Sequence, residues 1–301
     1  VLAQSQDDSA AQGSYIRDAL RFGMERSHRE GFNPYQFGVI GSSDGHNASA
    51  PVEEDNYHGK LPLLDGSAAL RMGQAAYYPS DYPGGPRWSA AGLAAVWAVE
   101  NTRDALFDAM RRKETYATSG PRMAVRFFGG WDYPADLLDR DDWLSIAYDG
   151  GVPMGGDLPP RSGDAPQFAL WAMRDPDSGN LDRLQVVKGW VDAAGRSHEH
   201  IYDVAWSGDR HLDPTGTLAP VGNTVVAAQA SWRNDIGADQ LAVLWADPDF
   251  SEHKAAFYYA RVIEIPTPRW TTFDRKALGM PPPARHSVQE RAVTSAIWYR
   301  P

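Results

Sequence analysis

Apolar positions along the chain change their period near residue 123. Before it, residues 14–30 carry Ile16, Leu20 and Met24 at helical spacing, with Phe22 nearby. Ser14 reads as the N-cap and Gly31 as the stop, and such a helix is expected to cover a barrel strand. Residues 36–43 then read as an apolar strand built on Phe37, Val39 and Ile40. Residues 92–99 form a continuous apolar run bounded by glycine, the mark of a strand buried inside a parallel sheet. Residues 103–114 predict a helix capped by Asn101 or Thr102, with Leu106, Phe107 and Met110 turned inward. Strand, helix, strand in this order is the rhythm of an α/β barrel. Residues 47–86 have no sustained period, and a connection of that length suits a lid or a site wall.

After residue 123 the pattern becomes alternation punctuated by tight turns. Residues 123–128, 143–148, 168–173, 184–191, 201–206, 225–232, 240–245 and 256–265 all read as strands, with a last one at 294–299. Ala193-Ala194-Gly195 is the clearest hairpin turn, and residues 281–285 read as a surface crossing. The expected fold class is α/β plus all-β. Residues 1–122 form the C-terminal portion of an α/β barrel with a long lid loop at 47–86, and residues 123–301 form an antiparallel β-sandwich-like domain.

Composition narrows the function. The net charge of −10 argues against non-specific nucleic-acid binding, which needs a basic surface to displace counterions. It leaves a phosphorylated small molecule open, because a bound metal reverses the local field. Zero cysteines exclude disulfides, thiolate zinc sites and a cysteine nucleophile, and fit a periplasmic or secreted route better than a cytoplasmic one. No apolar run is long enough to span a membrane. Eleven tryptophans suit a sheet-rich core or a carbohydrate-facing surface.

The chemistry concentrates where the first strand gives out. Asp44 and His46 stand two residues apart, so in extended chain they point the same way and present a carboxylate and an imidazole to one spot. Those ligands suit zinc, manganese or iron; the competing reading is a polar turn with His46 bonded to backbone. His58, in Tyr57-His-Gly-Lys60, is a further candidate ligand or a surface residue, and Glu53-Glu54-Asp55 lies just before it. Glu100 sits at the C-terminal end of the apolar run, where barrel enzymes place chemistry, or merely starts the next helix. Tyr116-Ala-Thr-Ser119-Gly-Pro-Arg122 can offer hydroxyls, backbone N–H groups and a guanidinium fork to an oxyanion, or be a Gly-Pro turn with a structural arginine. His198-Glu-His200 has metal-ligand spacing but follows a hairpin, and reads as a surface pair. Asp175-Pro-Asp177 reads as a turn, and the glycine-rich stretch 150–156 as a loop or a backbone-lined wall.

Phe37-Gly-Val-Ile-Gly-Ser-Ser-Asp-Gly-His-Asn47 resembles the Asp-x-His motif of the PHP (polymerase-and-histidinol-phosphatase) superfamily of metal-dependent hydrolases. With Gly92-Leu-Ala-Ala-Val-Trp-Ala-Val-Glu-Asn101, Glu114-Thr-Tyr-Ala-Thr-Ser-Gly-Pro-Arg122, Val152-Pro-Met-Gly-Gly-Asp-Leu158 and Ser295-Ala-Ile-Trp-Tyr299, the chain is most similar to a large bacterial family known as domain of unknown function 3604. The resemblance implies a PHP-like barrel and a divalent transition metal, with more than one ion in the complete protein. The opening His-x-His of such barrels is absent before Asp44, so the resemblance makes this chain a C-terminal half. Asp44 and His46 would bind metal jointly with an N-terminal half or a companion chain. It also implies hydrolysis of a small-molecule ester, phosphoester cleavage being the commonest chemistry. Arg122, with Ser119 or Tyr116, would steady the oxyanion. The alternative is a non-enzymatic β-rich module that completes a partner's barrel.

Overall fold

The structure is a computed structural model that describes residues 13, 15–43, 45–46, 52–73, 88–161 and 163–301. Asp44, the expected N-cap Ser14 and much of the expected lid, residues 47–51 and 74–86, lie outside the described residues.

Twelve strands form among the described residues, in two sheets. The eight-stranded sheet has the path β1 (Leu93–Val96), β2 (Thr115–Thr118), β11 (Ser287–Thr294), β10 (Ala256–Pro268), β12 (Ile297–Tyr299) and β5 (Asp157–Leu158). β7 (Leu181–Val191) also pairs with β10, and β8 (Ser197–Trp206) with β7. The four-stranded sheet runs β4 (Gly151–Pro153), β3 (Ala124–Gly130), β6 (Gln167–Met173), β9 (Gln240–Ala246). Every pairing is antiparallel except β12 with β5.

The two sheets share one core. Val125, Phe127, Phe168 and Leu170 from the smaller sheet meet Leu184, Val186, Tyr258 and Val262 from the larger, all fully buried. Alternation along each strand sends the other residues outward, and helices cover them. Leu20 and Met24 of α1 (Ile16–Glu30) pack on Val187, Phe257, Tyr259 and Trp298, the outer face of the large sheet. Glu25 locks the helix there by accepting from the N–H and hydroxyl of Ser197, at 3.0 and 2.6 Å. The helix thus covers a sheet of the β-rich part instead of a barrel strand. Its stop is as expected, with Gly31 at φ 74°.

Three expected strands take other forms. Residues 143–148 lie in a helix; its apolar residues suit either period, and Ala147, with Trp143, Leu144 and Ile146, packs on Phe128 and Ala169 of the small sheet. Residues 227–229 make a 3₁₀ turn between bridge partners Val226 and Ser231. Residues 36–43 are extended but form no ladder. The run at 92–99 yields only the four-residue β1, antiparallel to β2 and not buried. The parallel interior strand expected there is absent, and no α/β barrel is found among the described residues. The observed class is mixed α/β, mostly strands in two sheets.

Within the expected lid, the described residues fold into a 3₁₀ turn (Glu54–Asn56) and two short helices, α2 (Pro62–Asp65) and α3 (Ala68–Arg71). The next helix, α4 (Arg103–Arg111), is capped by Thr102, whose side chain accepts from Ala105 N–H. α5 is the helix at Trp143–Gly150, and α6 spans Trp270–Ala277. Arg71 and Asp274 join α3 to α6 through two 2.7 Å bonds, both side chains nearly buried. Such a forked pair fixes orientation as well as distance.

Candidate active site

The segment before Asp44 is held extended by contacts from three directions. Lys113 Nζ donates to Gln36 O at 3.3 Å, and Val39 N–H to Ser295 Oγ at 2.9 Å. Gly41 N–H then donates to Leu93 O at 3.1 Å, and Gly92 N–H to Ser42 O at 3.0 Å. A side chain at Gly41 would put its Cβ 2.4 Å from Leu93 O, so only glycine permits this approach. Beyond Asp44, His46 N–H donates to Lys60 O at 2.8 Å, which lays the His46 segment beside the turn carrying His58. His46 is exposed; His58 is half-buried with Nδ1 3.0 Å from Asn56 O.

Stretches far apart in sequence converge on this strip. β1 pairs with β2, and β2 with β11. Ser295 Oγ donates to Thr115 O at 2.7 Å while accepting from Val39. Gly155, at φ 87°, lies so close to Lys113 that an added Cβ would sit 2.3 Å from its carbonyl oxygen. The glycine-rich stretch is therefore a wall packed against the turn that leads into β2. Trp298 N–H closes the assembly on Gly156 O at 3.0 Å.

A cleft of about 160 Å³ adjoins the strip, since Gly120 packs against both Val52 and Ala91. Its walls include Glu53, Glu54, Arg122, Asp175, Asp177 and Glu290. Arg122 is exposed; its guanidinium donates to Glu53 at 3.0 Å and its N–H to Asp175 at 2.6 Å. Ser119 Oγ donates to the Glu290 carboxylate and accepts from Arg291 N–H at 2.8 Å. Glu54 accepts from Trp270 N–H at the start of α6. Burial first, and then the neighbouring Glu290 carboxylate, push Glu54 up to about 8; burial likewise raises Glu290. The pair thus retains a proton near neutral pH. Behind it, fully buried Glu264 is raised to about 8, chiefly by burial.

Of the residues singled out in the sequence, Arg122 lines this cleft, and Ser119 is tied to it through its bond to Glu290. Tyr116 does not face it: it is buried in the main core, where its hydroxyl donates to Met123 O at 2.9 Å. Glu100 is exposed at the start of α4 and accepts from Thr102 Oγ1 at 3.1 Å. Glu290 and Glu264 carried no sequence signal: Glu290 stands in the polar run Gln289-Glu-Arg291 and Glu264 is a single acid in a mostly apolar strand. Glu54 stood in an acidic run whose burial only α6 creates.

Among the described residues no group of three or more His, Asp or Glu side chains is arranged to hold a metal ion. His46 and His58 therefore do not make a metal site from the described residues alone. His198 instead binds Asp192 Oδ2 at 2.9 Å. No helix among the described residues is long and apolar enough to cross a membrane.

No curated protein and no solved structure matches the chain. One family model does, over residues 1–301. The chain belongs to the family described as protein of unknown function (DUF3604).

Proposed function

We propose that this chain is part of a metal-dependent ester hydrolase of PHP-like type, acting on a phosphoester. Asp44 and His46 would contribute ligands to a divalent transition metal, with the remaining ligands supplied from outside this chain. Such a metal, when bound, makes hydroxide available near neutral pH. The observation that carries the reading is the placing of exposed His46 at the end of a strip held by Leu93, Ser295 and Lys60, with Gly92 bonded to Ser42 of that strip and Gly120 of the Arg122 cleft packed on the adjoining Ala91.

Within that cleft Arg122 can exchange Glu53 for a substrate oxyanion, gaining a charge-assisted pair as negative charge develops. Glu54, protonated near neutral pH, can give its proton to the departing oxygen. That contribution is present below about pH 8 and fades as pH rises through it. A second reading, completion of a partner's barrel without catalysis, draws on uncovered apolar side chains at Ile40, Val99, Phe107 and Met110. Phe107 and Met110 are half-exposed although the helix pattern turns them inward.

The test is elemental analysis of the intact protein together with hydrolysis of p-nitrophenyl phosphate, bis-p-nitrophenyl phosphate, p-nitrophenyl acetate and p-nitrophenyl sulfate. Stoichiometric metal, and phosphoester turnover abolished together with metal in His46→Ala, are expected. Arg122→Ala should keep the metal and lose about 10²–10³ in kcat/KM. Glu54→Gln should remove the alkaline limb near pH 8. An intact protein without metal and inert toward all four esters overturns the proposal.

A further inference from the structure

A second cavity, of about 360 Å³, opens on the large sheet and shares no residue with the Arg122 cleft. Lys188 and Trp190 on β7 face it from alternate positions, as do His200 and Tyr202 on β8. In the ladder Lys188 stands between Tyr258 and His200, and Trp190 between Ala256 and His198. The small side chain of Ala256 beside the large ring of Trp190 leaves the space. The segment after β9 forms the far wall with Asp249, Phe250 and Lys254.

This wall is firmly tied down. Tyr202 OH donates to Asp249 Oδ2 at 2.6 Å, and Lys188 Nζ donates to Asp249 O at 2.7 Å. Lys188 is nearly buried and pairs with fully buried Asp247 at 2.6 Å, which also accepts from Tyr258 OH at 2.7 Å. Phe250 packs edge-on against Trp131 and Tyr299, with ring centres 5.7 and 5.1 Å apart. The two histidines of His198-Glu-His200 both lie against aromatic rings. His198 stacks on Trp190 at 5.4 Å, and His200 contacts Tyr202 at 4.2 Å.

We propose that this cavity binds a pyranose unit of an uncharged oligosaccharide, independently of the hydrolase reading. Aromatic rings present a negative face to the weakly positive C–H face of a sugar ring. Polar groups at the ring edges, the Asp249 carboxylate, His200 and the Lys254 ammonium, meet its hydroxyls. The Lys188 charge is cancelled by Asp247, and the lining also carries one cation, Lys254, and one anion, Asp249, so its formal charges balance and leave no surplus to select an anion. The size falls in the range of small-molecule sites, which place a few fixed polar groups among apolar walls.

The experiment is calorimetric titration of the folded chain with gluco-, xylo-, manno- and galacto-configured hexasaccharides, with adenosine as a flat-ring control. At least one hexasaccharide should bind with a dissociation constant of about 0.1–1 mM. Tyr202→Ala should weaken it about tenfold, through loss of the ring that packs between His200 and Trp245 and of the hydroxyl that fixes Asp249. His200→Ala, at an exposed position, should do the same without risk to the fold, with circular dichroism as the check. Arg122→Ala should leave the titration unchanged, which separates this site from the hydrolase cleft. Absence of binding by every hexasaccharide up to about 10 mM overturns the proposal. So does binding that both variants leave intact, or binding of adenosine alone.

Discussion

Glu264→Gln isolates the cost of a carboxyl sealed beneath the candidate cleft. Glu264 is fully buried, accepts from Ser178 Oγ at 2.7 Å, and has one oxygen with no hydrogen-bond partner. Burial, and then the nearby Glu290 and Asp175 carboxylates, raise it from 4.5 to about 8, while the Ser178 bond opposes the rise. The folded protein thus holds a proton that the unfolded chain releases above about pH 4.5. Stability must fall as pH rises from the unfolded value toward the folded one, and flatten above it. The full rise corresponds to a ceiling of roughly 4–5 kcal/mol, of which about 3 should be lost between pH 5 and pH 7.5. Glutamine has nearly the same shape and no proton to lose. Thermal unfolding followed across that range should show the wild type losing several degrees more than Glu264→Gln, at about 2–4 °C per kcal/mol for a chain of this size. Both proteins keep the slope contributed by Glu54 and Glu290, so the difference reports on Glu264. Parallel curves would refute the argument, because they would mean that Glu264 is already ionised in the fold.

Two further predictions concern packing. Lys188→Met leaves fully buried Asp247 without its cation and should cost about 3–5 kcal/mol in a denaturant titration. Replacing Asp247 with leucine as well should restore much of that loss, since an apolar pair leaves no charge stranded. Gly155→Ala combines a positive φ with a Cβ 2.3 Å from Lys113 O, and should destabilise by more than about 2 kcal/mol. Gly208→Ala, at φ 71° with nothing within 4 Å, should cost only about 1 kcal/mol. Equal shifts in melting temperature for the two glycine variants would remove the close packing of the 150–156 stretch from the argument.

Local pattern sufficed for the elements whose burial follows directly from it. α1 with its Gly31 stop, β3, β6 to β10 and the 193–195 turn lie where alternation and turn residues put them, because one face of each meets a core. The motif stretches also told the family, since several residues in order are needed for that match. Which apolar run met which neighbour was settled only in the assembled sheets. The run at 143–148 became a helix because Phe128 and Ala169 offered it a surface of helical width. The run at 92–99, read as a buried parallel strand, became a short edge strand whose one ladder partner, β2, comes from the next motif. The same holds for chemistry. The turn at Arg122 can be read from the sequence, but the burial that raises Glu54 and Glu290 exists only once α6 and β11 pack together, and Tyr116 is held in the core with its hydroxyl on the Met123 carbonyl. Period, turns and residue type can be read along the chain because they act over a few neighbours; burial and proton affinity come from groups that meet only once the sheets are assembled.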